Sequence, residues 1–326
     1  MLDTTHYNIL LKRFFYYYRI AFKNWYSILN ELRRGKRKDI EVIFRNGNET
    51  YCSYDCIRSI VDLLQKYNYD LSKILNFISK KQLLSELNDE NKSYSDYLFL
   101  LSGWIKEDNV WIYAKYNLKV LHLSGVFLET FASEEYNTDV SSKEVVDVGA
   151  NVGDTALYFA LKGAKKVYAF EPLPSIYEKA LGNIKLNNLE NKILLFNAGV
   201  SSKDEVIKVP SNVSIGKSSV YSVNNQGDVE VPVFSLEKIV KEIVKEPYLL
   251  KMDCEGCEAD IIMNSKPEIL SSFDKIIFEH HYSRTKVKAN SLMKKLEELD
   301  YTCKLKKSFP SRPAKYLGII YCEKKK

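Results

Sequence analysis

Apolar positions in the first third of the chain mostly follow a helical period. From Tyr7 to Leu32 they recur at three- and four-residue spacing, through Phe14, Tyr18, Ala21, Trp25 and Ile28, which predicts one amphipathic helix. Ile40 to Tyr51, IEVIFRNGNETY, reads instead as strand, Asn46-Gly47 turn, strand. Ile57 to Leu87 returns to helical spacing, with Ile60, Leu63, Leu64, Leu71, Ile74, Leu75 and Ile78 as core candidates. Asn88 to Ser95 is polar and reads as a loop. Tyr97 to Phe131 is apolar and aromatic, with a strand between Asn109 and Val120.

Near residue 140 the pattern changes. Short β-branched runs, of the kind buried on both faces of a parallel sheet, now alternate with helical stretches. Strands are predicted at Val145–Val148, Val167–Phe170, Lys192–Phe196, Tyr248–Met252, Lys275–Phe278, Tyr301–Leu305 and Leu317–Cys322. Helices are predicted from Asp154 to a stop at Gly163, over Pro174–Asn187, after Glu258 and over Ser291–Leu299. Strand and helix in turn predict an α/β sheet. Two further strand-like runs, Val206–Val209 and Val229–Val233, flank a Ser-, Asn- and Gly-rich stretch, Ser211–Asn225.

The first strand–turn–helix–strand unit, EVVDVGANVGDTALYFALKGAKKVYAFE, carries the first candidate chemistry. Gly149 and Gly153 make a small-residue turn, and Glu171 ends the second strand. An acid there is suited to hydrogen-bonding ribose hydroxyls. The spacing is G-x-x-x-G rather than the G-x-G-x-x-G of dinucleotide loops. Asp147, two residues before Gly149, is poor company for a pyrophosphate and good company for a sulfonium cation. A second cluster follows the strand ending at Met252: Asp253, Glu255 and Glu258, with Cys254 and Cys257 between them. Glu279-His280-His281 ends the next strand. Alternation along a strand puts Glu279 and His281 on one side and His280 on the other. His281 is a candidate general base, and the carboxylates could alternatively hold a hard cation.

DVGANVGDTALYFA and AFEP resemble motif I and the acidic ribose loop of class I methyltransferases. LLKMDCEGCEADII resembles the K-x-D-x-E-G-x-E signature of the FkbM family, and Glu279-x-His281 its E-x-H. The resemblance covers residues 140–326 well and the preceding part weakly. It implies a Rossmann-like class I methyltransferase fold: a mixed, mostly parallel seven-stranded sheet whose last two strands are antiparallel. Residues 140–326 would be this domain, and residues 1–139 a mainly helical extension with a small hairpin. The implied cofactor is S-adenosyl-L-methionine, held by Asp147, Gly149, Asn151, Gly153, Glu171, Pro172, Asn197 and Ala198. Asn197 either contacts the adenine ring or satisfies its own turn. Asp253 would face the transferred methyl group, and with Glu279 and His281 it would converge on the acceptor hydroxyl as the catalytic group. The implied reaction is O-methylation of a sugar, glycan or related small molecule, and the stretch Ser211–Asn225 would border the acceptor.

Composition narrows this little. The 326-residue chain has a formal net charge of +6 and 45% hydrophobic residues, which suits a globular protein with a sizeable core. No run of 18 apolar residues indicates a spanning helix. The opening MLDTTHYNILLKRFF lacks the apolar core of a signal peptide, so a cytoplasmic protein is expected. The basic run Arg33 to Lys38 reads first as a solvated helix end, and otherwise as a peripheral membrane contact. The six cysteines show no secreted-type framework. Cys52 and Cys56 read as buried small side chains, Cys254-x-x-Cys257 as variable positions of the signature rather than a redox pair or zinc site, and no metal is assigned. Nucleic acid is not an expected partner, because the N/D-P-P-Y/F tetrad of amino-methylating enzymes is absent. A nucleic-acid methyltransferase and a non-catalytic cofactor-binding scaffold are the alternative readings. Nothing in the pattern sets an oligomeric state.

Overall fold

The computed structural model describes residues 15–89, 91–213, 227–306 and 318–325. The chain divides into two compact units, Met1–Asn117 and Leu118–Lys326.

In the first unit, the helix expected over residues 7–32 is interrupted among the described residues. Residues 15–21 are helical, and α1 (Trp25–Arg33) follows after a break. Asn24 causes the break. Its amide Nδ2 donates to the Glu41 carbonyl and its Oδ1 accepts from Ile43 N–H. That ties the chain to the hairpin formed by β1 (Ile40–Ile43) and β2 (Glu49–Cys52), in antiparallel register with Ile40 opposite Cys52. Gly47 takes the positive φ that the Asn-Gly turn requires. The stretch expected to be helical up to Leu87 is three helices: α2 (Tyr54–Gln65), α3 (Leu71–Ile78) and α4 (Lys81–Leu87). Asp70 stops the continuation by capping α3 through Ser72 N–H. A capping box between Ser93 and Asp96 starts α5 (Tyr94–Leu101) inside what the sequence suggests is loop. A hairpin of β3 (Trp104–Glu107) and β4 (Val110–Tyr113) follows.

The second unit begins with β5 (Leu118–Val120) and a short helical stretch ending in a π-helical turn, Leu128–Ala132. It is built on β6 (Glu144–Val148), α6 (Asp154–Leu161), β7 (Lys166–Phe170), α7 (Pro174–Leu186) and β8 (Ile193–Phe196). The strands β9 (Gly199–Ser201), β10 (Glu205–Val209) and β11 (Val229–Ser235) form a separate three-stranded sheet. Residues 214–226 of the expected acceptor-bordering stretch lie outside the described residues. The main sheet continues with β12 (Pro247–Met252), α8 (Cys257–Asn264), β13 (Lys275–Glu279), α9 (Ala289–Glu297), β14 (Tyr301–Lys306) and β15 (Ile319–Lys324).

Its strand order is β14-β15-β13-β12-β6-β7-β8. The five strands from β13 to β8 are parallel, and β15 runs antiparallel to both β13 and β14. This is the seven-stranded class I methyltransferase arrangement that the resemblance implies. The chain winds outward from β6 in one direction through β7 and β8, then returns to build β12 on the other side. The switch point therefore lies between β6 and β12, and a ligand is expected beyond their carboxyl ends. The core explains the run composition. Val146, Val148, Phe170, Leu250, Met252, Ile276 and Phe278 are buried, and so are Val145, Asp147, Leu249 and Lys251 on the other face of β6 and β12, so neither face of these two strands meets solvent.

The cysteines differ from the expectation. All six are paired, as Cys52–Cys56, Cys254–Cys257 and Cys303–Cys322. The physical reason is placement: Cys303 lies directly opposite Cys322 across β14 and β15. The other two pairs each stand within one turn, at the starts of α2 and α8.

Candidate active site

Three loops meet beyond the carboxyl ends of β6, β7 and β12. The first, Gly149–Gly153, is held by its own donors. Gly149 and Ala150 N–H both donate to the Phe170 carbonyl, each at 3.0 Å, and Gly153 N–H donates to the Ala150 carbonyl. Asn151 N–H donates to Glu171 Oε2 at 3.0 Å. These four amides are thus turned toward the protein rather than toward an incoming anion. The loop is not a phosphate cradle of the usual kind, which presents such amides to the ligand.

The glycines have structural causes. At Gly149, φ is +77°, and a Cβ would stand 2.0 Å from the Asp253 carbonyl oxygen. The first loop and the loop after β12 therefore touch backbone to backbone. At Gly153, φ is +86°, and a Cβ would find ordinary contact at 3.5 Å with Ala180 of α7.

Glu171 sits buried at the end of β7. Oε1 accepts from Leu173 N–H at 2.9 Å and Oε2 from Asn151 N–H. Burial pushes its carboxyl up to about 7 against the pull of those two amides. Asn197 Nδ2 donates to the Glu171 and Pro172 carbonyls at 2.9 and 3.1 Å, so this side chain ties the turn together. Ala198, beside it, is buried.

Asp147 lies beneath the first loop and is 0% exposed. Lys251, opposite it in the β12–β6 register, places Nζ 2.9 Å from Asp147 Oδ1. Thr155 Oγ1 donates to Asp147 Oδ2 at 2.7 Å. Lys251 also donates to the Gly149 carbonyl at 2.8 Å and lies 5.3 Å from the Tyr136 ring centroid. Burial works against its charge. Asp147, Asp253 and Asp154 outweigh that and raise its pKa, so it is a buried ammonium ion. Asp154, at the start of α6, accepts from Thr130 Oγ1, and burial pushes its carboxyl up to about 6.

On the other side of the switch point, Asp253, Glu279 and His281 come together as expected from their spacing. Their ligating atoms lie within 4.8 Å of one another. Tyr136 OH donates to Asp253 Oδ2 at 2.8 Å. Asp253 keeps 30% of its side chain open to solvent. Burial works against its charge, but Lys251 and His281 prevail, and its pKa is lowered. Burial and the neighbouring Asp253 charge hold Glu279 well above the usual carboxylate range. Glu129 and Glu135, on and just after the π-helical turn, are both pushed up to about 8, first by burial and then by the other acids. His281 Nδ1 lies 3.1 Å from Glu258 Oε1, and its backbone N–H donates to the same oxygen. Burial opposes protonation of His281, yet Glu258, Asp253 and Glu255 raise its pKa to about 9. At neutral pH these acids hold the imidazole as a cation, not the free base expected from the sequence. His280 points elsewhere, with Nε2 2.8 Å from the Val287 carbonyl.

Lys251, Tyr136 and Glu258 also organise this site; Glu258 stood in the acidic cluster read from the sequence, but Lys251 was given no role there. One signal was available for Lys251: a lysine inside a strand buried on both faces requires an acid on its neighbour, and Asp147 lies at the matching position.

Residues 147–303 match the family model of the methyltransferase FkbM domain. Over those residues, a little under half of its length, the chain is similar to that domain. A protein arginine N-methyltransferase 6 from Danio rerio is 30% identical over 102 residues, covering 31% of this chain and 28% of that protein. A methyltransferase 1 from Beauveria bassiana (strain ARSEF 2860) is 24% identical over 158 residues, covering 41% of this chain and 63% of its own. The chain thus spans less than two thirds of the length of either relative. The crystal structure of methyltransferase FkbM from Methylobacillus flagellatus KT aligns with a TM-score of 0.40 at 18% identity, over 57% of this chain and 44% of that one.

The cofactor that this similarity implies is S-adenosyl-L-methionine, and the residues present fit it. The first loop presents no row of free amides for a pyrophosphate, as the four donors above are committed. Asn151 Oδ1 is buried there without a hydrogen-bond partner. Each Glu171 oxygen accepts one amide and retains a lone pair for a ribose hydroxyl. The acids around Asp253 suit a sulfonium cation.

Proposed function

We propose that this FkbM-like domain transfers the methyl group of S-adenosyl-L-methionine to a hydroxyl oxygen of a sugar, glycan or related small molecule. The observation that carries this reading is the division of the two acidic groups by the Gly149–Asp253 contact. Glu171 stands on the β7 side, where a ribose is recognised. Asp253, with Glu279 and His281, stands on the β12–β13 side, where an acceptor would sit. S-adenosyl-L-methionine, held by Glu171 and the Gly149–Gly153 loop, would supply the methyl group to the acceptor oxygen as its C–S bond breaks, leaving S-adenosylhomocysteine, and the hydroxyl proton would pass to the protein. The donor is already activated, so orientation supplies much of the acceleration. Asp253, ionised and partly open to solvent, would take the hydroxyl proton. Tyr136 and Lys251 hold it in place.

Calorimetric titration with S-adenosyl-L-methionine and with NAD, followed by transfer of labelled methyl to a panel of sugars and phenols, tests the reading. Micromolar binding of the first ligand alone is expected. It should be lost in Glu171→Ala, whereas Asp253→Asn should retain binding and lose at least a hundredfold in turnover. Binding without transfer to any hydroxylated acceptor would favour a scaffold, and transfer to nucleic acid alone would sink the O-methylation reading.

A further inference from the structure

We infer that Asp253, Glu279 and His281, with Glu255 beside them, form a binding site for one divalent metal ion. The inference rests on the reading above for the ion's use in catalysis, but not for the binding itself.

The geometry around His281 leads to it. The side chain is 5% exposed, and its Nε2 faces three carboxylates. Asp253 Oδ1 is 3.9 Å away, Glu255 Oε2 3.8 Å and Glu279 Oε2 3.8 Å. These separations are too long for hydrogen bonds. They are the separations of donors that share a central atom: ligands bound at about 2.0–2.3 Å to one ion stand roughly 3–4.5 Å apart. Donor atoms of Asp253, Glu279 and His281 lie within 4.8 Å of one another, close enough to share one cation in place of the protons they now hold, while Glu255 at the edge also pairs with Arg284 at 3.5 Å.

The other side of the imidazole is arranged as metal-bound histidines are. Nδ1 faces Glu258, whose carboxylate is fully buried and is fixed in turn by the Gly256 and His281 amides. A carboxylate holding the far nitrogen sets the tautomer and aims the near one at the ion. Glu255 reaches the cluster from a backbone turn at φ +60°, followed by Gly256 at +132°. One imidazole with carboxylate oxygens, and no thiolate, suits an ion of the Mn2+ kind. An ion there would lower the pKa of a bound hydroxyl, which is what an O-methyl transfer needs near neutral pH.

The experiment is titration of Mn2+ into the purified full-length protein, without methyl donor, followed by electron paramagnetic resonance. Loss of the free-ion signal with one Mn2+ per chain is expected, with pulsed spectra showing coupling to an imidazole nitrogen. Glu279→Gln and His281→Gln should each weaken uptake at least tenfold. No uptake at millimolar Mn2+, uptake unchanged in both variants, or bound Mn2+ without nitrogen coupling would each overturn the inference. The wild-type spectrum decides it even if a variant fails to fold. Cofactor titration in the absence of metal tests the methylation reading separately.

Discussion

Lys251 keeps its charge out of water because Asp147 lies 2.9 Å away and Thr155 completes that carboxylate. Lys251→Met removes the cation and leaves a buried carboxylate unpaired, which costs about 3–5 kcal/mol. Urea denaturation should show a loss of that size, and a loss under about 1 kcal/mol would mean that Asp147 finds water or another partner. Glu171 gives a pH-dependent counterpart. Its carboxyl titrates at about 7 in the folded protein against an ordinary value of 4.5. Between those values the folded state holds a proton that the unfolded state has released. Its contribution is therefore present in full below about pH 4.5 and is lost as pH rises through 7. Glu171→Gln lacks this dependence, so its stability relative to wild type should rise between pH 5 and pH 8 in thermal melts, by up to roughly 2–3 kcal/mol. A constant difference would contradict the placement of Glu171. At this scale the sequence was only half legible. The chemistry-bearing letters Asp147, Glu171, Asp253, Glu279 and His281 could be picked out by position after strands. What each touches depends on register: that Asp147 faces a lysine, and that His281 is charged by three neighbouring acids, follows only once β6, β12 and β13 are aligned.

The loops and helices show the same division between local and long-range causes. Gly149 and Gly153 look equivalent in the sequence, yet one abuts the Asp253 backbone and the other has room. Gly149→Ala should therefore abolish cofactor binding or folding. Gly153→Ala should cost only the left-handed backbone strain, on the order of 1–2 kcal/mol. Equal damage in thermal melts of the two variants would refute the close approach. Short-range signals such as the Asn46-Gly47 turn were read directly, because two residues suffice to specify them. The break at Phe22–Asn24 was not, since apolar spacing continues through it. It is made by Asn24 hydrogen-bonding to a strand that the chain has not yet reached.

Across the whole chain, the compact unit of residues 118–326 contains the seven-stranded sheet, the core beneath it and every candidate site residue. Produced alone, that fragment should melt in one cooperative transition and bind S-adenosyl-L-methionine within tenfold of the full chain. A fragment that is soluble and folded but does not bind would place part of the cofactor site in residues 1–117. The α/β alternation made the sheet legible, because parallel strands buried on both faces leave unmistakable apolar runs. The three cysteine pairs were less so, since the Cys303–Cys322 pair depends on strand register.

The Lys251–Asp147 contact also has a consequence for how the sheet assembles. β6 and β12 must find each other across a long intervening segment, and apolar runs such as Val145-Val146 and Leu249-Leu250 would tolerate sliding. A slip of one residue sends the lysine and the aspartate to opposite faces, each stranded in hydrocarbon. The ion pair thus acts as a proofreader of alignment: it penalises near-miss pairings far more than it rewards the native one, and it sits at the strand ends where misalignment would pull apart the two halves of the site.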